Sequence, residues 1–143
     1  MERLETSKFG PVEYSPRDVV EVQEGLPGFR SLRRFVVMDS PEFEPIKFLL
    51  SVDNPVLSFP VIDPRMVLPD YRVALNPDDR AVLGLEDEKV AIVYAIVTLG
   101  SRPEKSTANL FAPVVINTEN MQATQVFLSD SDYSVTEPLL RSE

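Results

Sequence analysis

The chain has 143 residues and 43% hydrophobic content, enough to bury roughly two-thirds of its unfolded surface and to fold as one domain over residues 1–143. It contains no cysteine and no histidine, which excludes disulfides, thiolate chemistry, the usual histidine-based triads and the commonest metal ligands. Its net charge of −9, from 23 acidic and 14 basic residues, opposes binding to nucleic acid phosphates or anionic lipid and favours basic protein partners.

Met1–Glu5 lacks the apolar core of a secretory signal. The longest apolar run, Val90–Val97, is far short of the ~20 residues that span a bilayer. A soluble, cytoplasmic protein is the expectation. Thirteen prolines and five glycines are spread along the chain, and such spacing marks turns between short strands of a sandwich or barrel.

In chain order, the first predicted strands are Lys8–Tyr14, interrupted near Gly10-Pro11, and Asp18–Gln23, where Val20 and Val22 share a face. Gly25-Leu26-Pro27-Gly28-Phe29 reads as a turn in which glycine supplies positive φ beside Pro27 and Phe29 plugs the core. A short helical turn is expected at Ser31–Arg34. Arg30, Arg33 and Arg34 form a basic cluster there, either a solvated face or a site for an acidic segment. Phe35–Asp39, Ile46–Val52 and Leu57–Ile62 read as strands, the last ending at Asp63-Pro64, with Asp63 as turn initiator.

Asn76-Pro77-Asp78-Asp79 has the chemistry of a helix start, with a capping side chain, a first-turn proline and two carboxylates on the positive end of the dipole. Gly84 ends this helix after barely two turns. Glu86-Asp87-Glu88 forms an acidic turn before Lys89–Leu99, a strand apolar on both faces and therefore central. Asn109-Leu110-Phe111-Ala112-Pro113-Val114-Val115-Ile116-Asn117 follows. Its β-branched run favours a strand, and Pro113, which cannot donate to a ladder, must face an edge, a bulge or a partner. Gln122–Leu128 reads as the next strand.

Catalytic chemistry finds little footing. No pair of carboxylates is forced together, and the glycines at 25 and 28 lack the lysine and helix of a phosphate cradle. Asp130-Ser131-Asp132 resembles the start of a calcium loop, but Val135 stands where glycine is needed and Arg141 where a bidentate glutamate is needed. No catalytic residue, metal site or cofactor is expected. The candidate contact residues are Glu86, Asp87 and Glu88, either an electrostatic surface or a solubility turn, with Asn109, Pro113, Asn117 and Gln125. The asparagines either bond turn backbone or meet a partner. Gln125 is either buried, with its amide satisfied internally, or an exposed contact.

The Gly-Leu-Pro-Gly-Phe turn, Phe48–Val52, Phe59–Pro64, the Tyr71 region, the Asn109–Asn117 block, Gln125-Val126 and Tyr133 occur in an order that resembles the FliW flagellar assembly factors, over nearly the whole chain. The resemblance implies a β-rich protein that binds flagellin and, when free of it, binds and antagonises CsrA, an RNA-binding translational repressor, without touching nucleic acid or membrane itself. The expectation is a mainly β, single-domain antiparallel β-barrel or sandwich with one short helix, acting by binding. The alternative is a small-ligand or carbohydrate-binding barrel, or a carboxylate-based hydrolase. A deep apolar pocket with converging carboxylates would favour that alternative.

Overall fold

The structure, a computed structural model, describes residues 1–26 and 28–140. Pro27 of the glycine turn and Arg141 of the rejected calcium loop lie outside the described residues. The chain forms β1 (Glu2–Thr6), β2 (Gly10–Tyr14), β3 (Val20–Val22), β4 (Arg34–Asp39), β5 (Lys47–Ser51), β6 (Ser58–Ile62), α1 (Pro64–Val67), α2 (Pro77–Leu83), β7 (Ala91–Thr98), β8 (Thr107–Ala108), β9 (Val114–Asn117), β10 (Gln122–Gln125) and β11 (Glu137–Pro138).

Seven of these strands close a barrel in the order β3-β4-β5-β6-β7-β9-β10, with β10 returning to β3. Neighbours are antiparallel except for β10 and β3, which run parallel through Gln122↔Glu21 and Ala123↔Val22. Closure leaves no free edge around most of the ring, which answers the barrel-or-sandwich alternative. The short strands β8 and β11 extend from the far half of β7.

The barrel interior takes one apolar side chain or more from every wall strand, including Val20, Phe35, Leu49, Val61, Tyr94, Ile116 and Ala123. Two further cores lie outside the wall. The β1–β2 hairpin lays Leu4, Phe9 and Val12 on Phe48, Leu50 and Val36, the outward residues of β4 and β5; the Phe9 and Phe48 rings are 4.7 Å apart. On the opposite flank, the α1 and α2 segments and the chain beyond β10 cover Ile62, Ala95, Val97 and Val115. A wall strand with both faces covered must be apolar on both, and this is the pattern along β7 from Val93 to Val97.

Most predicted strands appear, trimmed at their ends. Lys8 and Phe9 belong to the hairpin turn, where the Thr6 hydroxyl accepts from Phe9 N–H at 2.9 Å, so the strand starts at Gly10. Its partner β1 was unforeseen, because Leu4 is the one large apolar residue between Glu2 and Thr6. β7 starts at Ala91, after a 3-10 turn over Glu88–Val90. The α2 helix is as expected: Asn76 Oδ1 accepts from Asp79 N–H at 2.7 Å, and Gly84 is left-handed at φ +63°. A second helix, α1, follows from the same chemistry at Asp63-Pro64. Asp63 caps it rather than merely initiating a turn, accepting from Arg65 N–H at 3.0 Å.

Two expectations near the glycine turn are corrected. Gly25 and Gly28 have positive φ as expected, and at Gly25 a Cβ would stand 2.6 Å from the Arg30 backbone. But Leu26, not Phe29, fills the core; Phe29 is 38% exposed and packs its ring 5.3 Å from Phe59. The helical turn at Ser31–Arg34 is absent, because Asp53 offers its carboxylate to the backbone there. It accepts from Arg33 N–H at 2.8 Å, Arg34 N–H at 3.0 Å and the Arg34 guanidinium at 2.9 Å, drawing the chain extended into β4. Arg34 is thereby paired, while Arg30 and Arg33 stay exposed.

Partial burial alone pushes the Asp53 carboxyl up, but the two amides and Arg34 outweigh it and hold it below the usual carboxylate range. A depressed folded pKa stabilises the fold above the unfolded value of ~3.9 and loses that stabilisation as pH falls through the folded value. Asp53→Asn should therefore cost about 1–2 kcal/mol at neutral pH. In urea unfolding, its gap from wild type should narrow as pH drops below ~4; a gap that is constant with pH would refute the carboxylate's role.

Candidate functional site

Among the described residues the barrel wall is incomplete where two neighbours pair over only two residues: between β3 and β4, which leaves Val36–Asp39 without a strand on that side, and between β6 and β7. β6 pairs with β7 through only Val61↔Ile96 and Ile62↔Ala95. Pro60 and Pro64, neither of which has an N–H to give, bracket this short ladder. At Asp63 the chain leaves the wall for α1. β7, eight residues long, continues past that point and pairs Ala91–Tyr94 with β9 on its other side. On the β6 side, among the described residues, no strand pairs with Ala91–Tyr94.

Alternation settles which peptide groups face this gap. Val90 gives its carbonyl to Thr118 N–H at 3.1 Å and Ile96 gives its own to Asn109 N–H at 2.9 Å, both on the β9–β8 side. Even-numbered residues of β7 therefore bond that way, and Ala91 and Val93 turn their groups toward the gap. Ala91 N–H is taken by Glu88 O. The Ala91 carbonyl and both polar groups of Val93 have no strand partner among the described residues.

The gap is a solvent-open cleft of about 550 Å³, lined among others by Lys47, Arg65, Tyr71, Val73, Lys89 and Tyr94. Its outer wall is the segment around Tyr71–Leu75, fixed by two tyrosines. Tyr71 is buried and donates its hydroxyl to Leu110 O at 2.7 Å. Its ring lies 4.5 Å from that of Tyr133, whose hydroxyl accepts from Arg72 N–H at 2.9 Å. Burial pushes the Tyr71 phenol well above its ordinary value, so it stays a donor at any working pH.

At the mouth, Lys47 bonds the Asp39 carboxylate, which raises its pKa. Burial pushes the Tyr94 hydroxyl up, and nearby Lys47 acts against that. Two carboxylates line the cleft, and both are engaged: Asp63 caps α1, and Glu88 pairs with Arg80. The volume lies in the range of small-ligand sites, but the converging free carboxylates that a hydrolase would need are not what these residues form. Among the described residues no group of histidine, cysteine, aspartate and glutamate could hold a metal, and no helix is long and apolar enough to cross a membrane.

The candidate contact residues fall at the two ends of β9. Glu86, Asp87 and Glu88 are exposed between α2 and β7, beside the cleft. They contribute more to the fold than three repelling charges would, since Asp87 accepts from Lys89 N–H at 2.9 Å and Glu88 pairs with Arg80. Asn117 stands close by but is 3% exposed; its amide donates to Leu83 O at 2.9 Å and its oxygen accepts from Glu119 N–H at 3.0 Å. It bonds turn backbone and does not reach the surface.

Asn109, Pro113 and Gln125 gather at the other end. Asn109 Oδ1 accepts from Phe111 and Ala112 N–H at 3.1 and 3.0 Å. Pro113 is buried, at the residue before β9, with its carbonyl taken by Val126 N–H at 2.9 Å. The expected exposed edge at Pro113 is thus corrected, but the bulge is present: β7 passes from Tyr94↔Val114 to Ile96, which bonds Asn109, so Leu110–Pro113 stand opposite Ala95 alone. The β9 ladder starts one residue after the proline, where the missing N–H costs nothing. Gln125 is half-buried and follows the internal reading in part. Its amide donates to Ala112 O at 2.9 Å, while its oxygen is buried with no partner among the described residues.

Sequence reasoning missed Arg65, Lys89 and Tyr94 as neighbours in a cleft. The available signal was Asp63-Pro64, the same cap-and-proline pairing as Asn76-Pro77, which stops β6 short of its longer partner. The cleft wall yields a prediction. Tyr71→Phe keeps the ring but leaves the buried Leu110 carbonyl without its donor, and should cost about 1–3 kcal/mol in denaturant unfolding. Loss below ~0.5 kcal/mol would show that water replaces the phenol.

A family model described as FliW protein matches residues 3–139. A flagellar assembly factor FliW of Bdellovibrio bacteriovorus is 40% identical over 136 residues, covering 95% of this chain and 78% of the relative. One from Caldanaerobacter subterraneus subsp. tengcongensis is 38% identical over 138 residues, covering 96% and 92%. A crystal structure of the flagellar assembly factor FliW superimposes with a TM-score of 0.91 at 30% identity, covering 99% of both chains.

Proposed function

The chain belongs to the FliW family, and from that premise we propose that it is a non-enzymatic flagellar assembly factor of the cytoplasm that exchanges between two protein partners. It holds flagellin. When flagellin is exported, the freed protein binds CsrA and relieves its repression of flagellin translation. The observation that carries this reading is the match over residues 3–139 together with a shared fold over 99% of the chain. Relatives bearing the name flagellar assembly factor supply the biological setting.

Physical features support partner binding over chemistry. The chain has no histidine or cysteine, and the carboxylates of its cleft are committed to a helix cap and an ion pair. A net charge of −9 suits docking on a protein whose RNA-binding task calls for basic patches, since opposite charge accelerates encounter. The same field, set beside an RNA site, weakens RNA binding without covering it. In this reading the protein contacts neither nucleic acid nor membrane and needs no cofactor.

The exposed Glu86–Glu88 turn is proposed as part of the surface that meets CsrA. The triple variant Glu86→Gln, Asp87→Asn, Glu88→Gln removes its charge and keeps its shape. Asparagine still caps, and the Arg80 ion pair is exposed, so stability should change by no more than about 1 kcal/mol. Stopped-flow association with CsrA should be slower for the variant, should depend on salt, and should leave flagellin binding unchanged. CsrA rates that are flat with salt and equal between variant and wild type would remove the turn from the interface. No CsrA binding at any salt would remove the proposed antagonism.

A further inference from the structure

The open edge of β7 carries an inference that does not depend on which protein is the natural partner. Backbone groups of Ala91 and Val93 face a cleft rather than a strand, and that cleft is lined by residues of β7 itself. Unpaired strand edges are templates for extended chain. We propose that this edge binds an extended segment of another protein, about four residues long, apolar in its middle and carrying a carboxylate at each end.

The length follows from the gap. The unpaired stretch runs from Ala91 to Tyr94, and four extended residues cover ~13 Å. Apolarity follows from what the added side chains would meet. On one face lie Val73 and Leu75, half-buried at the rim of the outer core. On the other lie Tyr94 and Ile92, the latter 42% exposed at the barrel mouth. The charges follow from the ends of the gap. Lys89 stands two residues before Ala91, and Arg65 stands three residues after Ile62, the partner of Ala95. Neither makes an ion pair among the described residues. The two carboxylates that line the same cleft are occupied, Glu88 with Arg80 and Asp63 with the α1 cap.

In a chain of net charge −9, a groove with a free cation at each end selects against basic and neutral segments and for a doubly acidic one. The bound segment would continue the wall from β7 toward α1, so main-chain hydrogen bonds would hold it and the flanking charges would set its register.

The test uses the full chain, ¹⁵N-labelled, and three blocked hexapeptides. One has glutamate at both ends of a Val-Thr-Val-Val core, one has lysine at both ends, and one is the acidic peptide N-methylated at alternate amides. The acidic peptide should shift the Val93 amide resonance and slow its hydrogen exchange. N-methylation should abolish this, since it removes the donors a ladder needs. Arg65→Glu with Lys89→Glu, both exposed, should weaken the acidic peptide roughly tenfold and favour the lysine peptide instead. A Val93 amide already protected in the free protein would overturn the proposal. So would no binding at millimolar peptide, or equal binding by the N-methylated or lysine-ended forms, or saturable shifts at other sites that spare Val93.

Discussion

β7 divides its hydrogen bonds among three strands, and the rest of the molecule is arranged around that division. On one edge it serves β9 with its first half and β8 with its second. On the other it serves β6 for two residues. The β9 pairing closes the ring and so defines an interior. The β8 pairing, through Asn109, anchors the long connection into β9. The brevity of the β6 pairing opens the cleft. An eight-residue strand beside a five-residue one must leave peptide groups over unless something else covers them, and here Pro64 turns the chain away before they are covered.

A seven-stranded ring of such short strands encloses a small interior. The chain gains apolar burial by using the outside of the wall as well. The β1–β2 hairpin seals the flank of β4 and β5, and the segments around α1, α2 and Tyr133 seal the flank of β7 and β9. The layer over β7 and β9 is held by polar bonds at a few points. Tyr71 to Leu110, Tyr133 to Arg72, and Asn117 and Asn120 to Leu83 orient the outer layer against the wall. Buried donors and acceptors of this kind specify register, because a slip by one residue would orphan them. The block from Asn109 to Asn117 belongs to this framework: both asparagines hold backbone, and the proline sits where a ladder begins.

Charge is distributed with less excess than the net value suggests. Asp39, Asp53 and Glu88 are each matched to a cation, and Asp53, Asp63 and Asp87 also accept backbone N–H groups at the starts of elements. What remains exposed includes Glu86 beside the cleft mouth, while the cleft itself holds Lys89 and Arg65. An acidic protein with a locally cationic groove can attract a basic partner at long range and still receive an acidic segment at short range, since screening limits the net field to ~8–10 Å.

Local chemistry in the sequence was sufficient for what local chemistry controls. Alternation marked β3 and β7, apolar runs between turn residues marked β4 to β6, and cap and proline marked α2. Apolarity on both faces of Val90–Val97 placed that strand at the centre, because no solvent-facing strand tolerates it. The order of motifs from Gly25 to Tyr133 carried the family. Tertiary structure decided what depends on residues far apart. Barrel closure rests on β7 meeting β9 and on β10 running parallel to β3, pairings that no periodicity encodes. β1 exists because Leu4 finds the outer face of β4 and β5, a gain invisible in a five-residue segment with one large apolar side chain. The helical turn at Ser31–Arg34 gave way to Asp53, some twenty residues on, whose carboxylate bonds the same backbone in extended form. The cleft was the least legible feature of all: it is a difference in length between two strands, and neither strand shows it alone.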